Sequence, residues 1–80
     1  MNTSVYVAMK IGDNDEFDVE VFGDAYDAYN YVMSCCYGEG WENEMDDEMQ
    51  ENYNILTDGS GEGFVDAEGV VWIVEKKRVR

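Results

Sequence analysis

The sequence predicts an α+β fold: an antiparallel sheet of about four strands with two helices on one side, in the order β-β-α-α-β-β. Three observations predict it. Residues 3–11 and 16–22 alternate apolar and polar side chains on either side of the turn-rich Gly12-Asp13-Asn14-Asp15. From Asp24 the apolar residues recur at helical spacing, with glycines at 38 and 40 dividing two segments. The chain then returns to strand character, ending in Val70-Val71-Trp72-Ile73-Val74, its most apolar run. Eighty residues with no linker or repeat fit one domain, residues 1–80.

Each element has a local reason. Thr3, Val5, Val7, Met9 and Ile11 share one face of the first strand, and Ser4, Tyr6, Ala8 and Lys10 share the other. In the second strand, Phe17, Val19 and Val21 are expected to point inward and Glu16, Asp18 and Glu20 outward. Asp24 is a suitable helix cap, Asp27 suits the positive end of the helix dipole, and Gly38 is placed to terminate the helix. Ala25, Ala28, Tyr29, Val32 and Cys36 form its inward stripe, with Tyr26, Tyr31 and Tyr37 around the core edge. A second helix is expected from Trp41 to about Asn52, because Trp41, Met45 and Met49 are four apart. Residues 53–57 read as a third strand, 58–63 as a loop, Phe64-Val65 as an extra short strand, and 70–74 as a central buried strand.

Composition narrows the function. The net charge is −14, and all nineteen carboxylates lie between Ile11 and Glu75, a span with no Lys, Arg or His. The five basic residues, Lys10, Lys76, Lys77, Arg78 and Arg80, flank that span. Direct binding to nucleic acid needs Lys and Arg along the contact surface, so it is not expected. No apolar run approaches a membrane span, and residues 1–11 lack the pattern of a signal peptide, so a cytoplasmic location without membrane contact is expected. Cys35 and Cys36 are sequence neighbours, a poor geometry for a disulfide, and read as two reduced thiols with at least one in the core.

An enzyme is not expected, and no catalytic residue, cofactor or metal is assigned. Without His, acid–base work would fall to carboxylates such as Glu42 and Asp46, and any two of nineteen acids resemble a pair. Asp58, Ser60, Glu62 and Asp66 fall at positions one, three, five and nine of a calcium loop, with Gly63 at six. Position twelve, which should be a bidentate Glu, is Gly69. An acidic, glycine-rich hairpin loop accounts for the same residues.

The acids themselves are the candidate site. Residues 39–51 hold Glu39, Glu42, Glu44, Asp46, Asp47, Glu48 and Glu51. On one helix of about 20 Å these would lie one per about 3 Å, near the phosphate spacing of a DNA strand. Glu42, Glu44, Asp46, Asp47, Glu48 and Glu51 are the expected partner-binding face, with Glu16, Asp18 and Glu20 as a second row.

In size and charge layout the chain resembles phage-encoded nucleic-acid mimics of the anti-CRISPR and anti-restriction type. That resemblance implies an inhibitor acting in the host cytoplasm, without chemistry, in the nucleic-acid-binding groove of a host nuclease or surveillance complex. The expected partner is a basic nucleic-acid-binding protein, and a homodimer is also compatible with the sequence. The rival readings are an acidic adaptor that binds a basic protein without mimicry, a halophile-adapted domain and a calcium-binding domain.

Overall fold

In the computed structural model, which describes residues 3–12, 17–58, 62–66 and 68–79, the strand β1 (Thr3–Ile11) runs through the middle of the sheet. It pairs antiparallel with β2 (Phe17–Phe22) on one side and with β4 (Val71–Val79) on the other. The two-residue β3 (Phe64–Val65) pairs antiparallel with the start of β4, giving the order β2-β1-β4-β3. Between β2 and β3 lie α1 (Ala25–Tyr37), a 3-10 turn (Trp41–Asn43) and α2 (Asp47–Thr57). The fold is therefore α+β, with an antiparallel four-stranded sheet and two helices in the order β-β-α-α-β-β. No helix among the described residues is long and apolar enough to cross a membrane.

The core sits between the sheet and the helices. Ala8, Phe64, Trp72 and Val74 of the sheet meet Ala28 and Val32 of α1 and Leu56 of α2. A second cluster, Met33, Trp41 and Met49, joins the helices to each other, with Tyr37, Met45 and Tyr53 packed around it. Burying each large side chain of this kind contributes about 1.5–3 kcal/mol. Trp41 also donates its indole N–H to Asn30 Oδ1 at 3.0 Å, so the ring is held by polarity as well as packing.

Register fixes which side chains share each face. Tyr6 lies opposite Phe22, Ala8 opposite Glu20 and Val74, and Lys10 opposite Asp18 and Trp72, all on the helix-covered face. The other face carries Val5, Val7, Met9 and Ile11 of β1 with Val71 and Ile73 of β4, and no described helix packs on it. There Phe17, Val19, Val21 and Val65 are 57, 45, 60 and 60% exposed.

This reverses the expected phase of β2: Phe17, Val19 and Val21 are open to solvent, while Asp18 and Glu20 share the helix side. Alternation groups residues by face but does not say which face the helices cover, and Ala8 and Trp72 decide it. β4 is central as expected, yet only its alternate residues Trp72 and Val74 are buried.

The helical region also departs from expectation. The stretch from Trp41 to Asn52 is not one helix: the 3-10 turn ends at Asn43, and α2 begins only at Asp47. Asp46 sets that start, its side chain accepting the Met49 N–H at 2.8 Å as an N-cap. Residues 53–57 are the last turns of α2 rather than a strand. Met49, Tyr53 and Leu56 repeat at i, i+4 and i+7 and pack inward, which outweighs the strand preference of Ile55 and Thr57. The third strand is Phe64–Val65 instead. Gly63 makes that pairing possible: its φ is +70°, and a Cβ there would collide with the Trp72 carbonyl oxygen.

Candidate anionic surface

The carboxylates of residues 39–51 fall into two groups with different local causes. Glu39, Glu42 and Glu44 lie on and beside the 3-10 turn, which Gly38 (φ +91°) and Gly40 (φ +82°) allow to fold back over α1. Tyr26 of α1 donates its hydroxyl to Glu42 Oε1 at 2.5 Å and anchors that carboxylate. The same bond is the main reason the Tyr26 phenol titrates above its ordinary 10.0. Asp46, Asp47, Glu48 and Glu51 form the second group at the start of α2, where the unpaired helix N–H groups and dipole favour negative charge. All four are exposed. They occupy six residues, about 9 Å of helix rise, so local charge density survives although the single long row does not.

The second predicted row is placed differently. Glu16 lies outside the described residues. Asp18 and Glu20 are exposed on β2, on the helix side of the sheet and close enough to Tyr31 to help raise its phenol, after burial as the main cause. Asp18 lines a cavity of about 200 Å³ with Lys10, Tyr31, Cys35, Asp66 and Glu68. A neighbouring cavity of about 180 Å³ is lined by Glu48 of α2, Asn52, Tyr37, both cysteines and the same Asp66 and Glu68. The two cavities share Cys35, Asp66 and Glu68, so the structure joins Asp18 to Glu48 along one acidic groove. It does not bring Glu42 into that groove. Glu42 instead lines a separate cavity of about 240 Å³ with Tyr26, Trp41 and Tyr53.

Asp66 and Glu68 are the acids that sequence reasoning left out of the face. Their signal was the turn Asp66-Ala67-Glu68-Gly69, which showed a change of direction but not its position beside α1. Asp66 is also the staple of the β3–β4 connection. Its Oδ1 accepts the Glu68 and Val70 N–H groups at 2.8 and 3.0 Å, and its Oδ2 accepts the Trp72 indole N–H at 2.9 Å. Burial pushes its carboxyl up, but the bonds from Trp72, Val70 and Glu68 and the charge of Lys10 outweigh this and hold it below the ordinary 3.8. Of the supposed calcium loop, Ser60 lies outside the described residues, positions seven and eight form strand β3, and the Asp66 oxygens are engaged by Glu68, Val70 and Trp72.

Among the described residues no cation forms an ion pair with a carboxylate of residues 39–51. Lys10 lies in the acidic groove, its Nζ 5.8 Å from the Trp72 ring centroid. Lys76, Lys77 and Arg78 occupy the C-terminal part of β4, where Lys77 and Glu75 form an exposed ion pair at 3.0 Å. Beyond Trp72, β4 has no strand on its outer side among the described residues, so this run also blunts an open sheet edge. The thiols differ in kind: Cys35 is exposed, while Cys36 packs against the core. Burial first, then the nearby Asp66 and Cys35, pushes Cys36 up to about 12, so its thiol stays protonated and unreactive.

What the surface offers is a dense array of exposed carboxylates around the solvent side of the helices, of which Glu42 and Asp46 are held by hydrogen bonds, as is the half-buried Asp66. Compared with family models, with curated proteins and with solved structures, the chain gives no match.

Proposed function

We propose that this protein inhibits a host defence protein, a CRISPR effector or a restriction enzyme, by filling its nucleic-acid groove with phosphate-like carboxylates. One observation carries the proposal. Glu44, Asp46, Asp47, Glu48 and Glu51 are exposed on the helical side, and no described cation forms an ion pair with them. Lys10 sits at the Asp18 end of the groove whose other end Glu48 lines, and the other described cations are on β4. A surface that leaves this much like charge uncompensated gives up stability, and a basic groove returns it by neutralising the charge and releasing bound counterions. The Asp46 cap fixes the start of α2, the backbone that carries Asp47, Glu48 and Glu51, so the binding face needs no refolding of the chain. Encounter would be steered by the long-range field, as it is for the nucleic acid displaced.

The experiment is affinity capture of a nucleic-acid-binding protein from a bacterial lysate, washed at graded salt. It is followed by the triple variant Asp47→Asn/Glu48→Gln/Glu51→Gln against the captured protein. The variant should bind at least about tenfold more weakly and release at lower salt, with an unchanged circular dichroism spectrum. Equal affinity of variant and wild type would remove this face from the contact.

A further inference from the structure

The open sheet face has no role in an anionic mimic, and its size calls for an occupant. Along β1 it continues for about seven residues at about 3.3 Å each, and across the sheet it spans three strands and the short β3 at about 4.8 Å spacing, roughly 400 Å² in projection. That is the size of the largest apolar patch on a soluble monomer, about 300–600 Å², and such a patch is often an interaction site. Phe17, Val19 and Val21 on β2 and Val65 on β3 are its most exposed members. Among the described strand residues its charged members are Glu75 and Lys77, and these neutralise each other in their 3.0 Å ion pair.

We propose that a second copy of this chain docks on this face, giving a two-fold symmetric β-sandwich dimer with both helical layers outside. Three considerations select that occupant. The face is neutral and apolar, so a groove built for phosphates, which is charged and hydrated, has nothing to pair with it. A second copy presents the same neutral face with the same strand twist, the condition under which two sheets stack in an aligned sandwich about 10 Å apart. Side-chain relief raises the accessible area above its projection, so two faces together remove roughly 1,000–1,200 Å² from water, the size at which specific interfaces begin.

The net charge of −14 on each copy does not forbid the pairing. A helix layer about 10 Å thick separates each sheet from the carboxylates of α2, so those two anionic surfaces lie roughly 30 Å apart, several Debye lengths at physiological salt. The nearer Asp18 and Glu20 of β2 are on the helix side of their own sheet, away from the interface. The interface is isologous, and each substitution in it counts twice.

The test is sedimentation equilibrium of the full chain from micromolar to near-millimolar concentration, with no target or nucleic acid present. The expected result is a concentration-dependent dimer. Val21→Lys, which places two unpaired ammonium groups in the interface, should weaken it by at least about 100-fold. Val19→Thr, which keeps the strand preference of a β-branched residue, should weaken it by about tenfold with an unchanged circular dichroism spectrum. A wild-type chain that stays monomeric near millimolar concentration overturns the proposal, as does a dimer indifferent to both substitutions. Loss of target capture in Val19→Thr by a chain that is always monomeric would assign the face to the target and overturn it equally. The dimer measurement leaves the acidic carboxylates untouched, so its failure is distinct from failure of the inhibitor reading, which Asp47→Asn/Glu48→Gln/Glu51→Gln tests separately. Only loss of capture in a monomeric Val19→Thr would bear on both.

Discussion

At Asp66 a carboxylate that looks like part of the acid array is committed to holding a hairpin. It accepts two backbone N–H groups and the Trp72 indole N–H, and Trp72 is a core residue. Asp66→Ala should therefore cost about 1–2 kcal/mol, the worth of charged hydrogen bonds discounted for partial exposure, measured by urea denaturation. Because its folded pKa is depressed, the contribution of ionised Asp66 is fully present above the unfolded value, near 3.8, and is lost as pH falls through the lower folded value. The gap between wild type and Asp66→Asn should accordingly close on acidification below that range. The cysteines give a second check at this scale. Iodoacetamide at mildly alkaline pH should alkylate the exposed Cys35 and spare Cys36, whose thiol is pushed up to about 12, until denaturant is added. Equal labelling of both in the native protein would contradict the packing of α1 on the sheet.

Among the elements, α2 shows how far local pattern reaches. Trp41, Met45 and Met49 do gather into one cluster, as their spacing suggests, yet they do so across a 3-10 turn and a linking segment. The break was legible only in part: Asp46 is a good cap residue, but it stands among so many acids that none is distinguished by type alone. Asp46→Ala should lower stability by about 1 kcal/mol in thermal unfolding, while Asp46→Asn, which keeps the capping oxygen, should be nearly neutral. The β1–β2 hairpin, the span of α1, its Gly38 terminus and the central place of β4 could be read from alternation and turn residues, whereas Asp24 stands at the N-cap position of α1 without a capping bond from its side chain. The phase of β2 could not, because Phe17, Val19 and Val21 are the more apolar set and nothing local says that the helices cover the other side. Nor could the strand β3 be preferred over residues 53–57. Tyr53, Ile55 and Leu56 look more strand-like than two residues beside a glycine, and the helical repeat with Met49 is settled by packing. For the candidate site, the acids on α2 were legible as a face, whereas the meeting of Asp18, Glu48, Asp66 and Glu68 depends on the tertiary fold.

Among the described residues the molecule is polarised: carboxylates surround the helices, and the far side of the sheet is apolar, with Glu75 and Lys77 paired to each other. Exposed like charges repel within the folded state, and salt screens them over about 8–10 Å. Raising the ionic strength from low to physiological should therefore raise the melting temperature by a few degrees, with the chain already folded at low salt. An unfolded chain at low salt would instead favour the halophile-adapted reading. The same polarity organises the account of function, in which the helical side engages a basic groove and the sheet face pairs with its own kind. The measurement that bears most directly on that account is competition at the captured target, followed by fluorescence anisotropy of a labelled nucleic-acid duplex. The wild-type protein should displace the duplex completely, and Asp47→Asn/Glu48→Gln/Glu51→Gln should need at least about tenfold more protein to do so. A stable ternary complex, in which the target keeps its duplex while this protein remains bound, would contradict it.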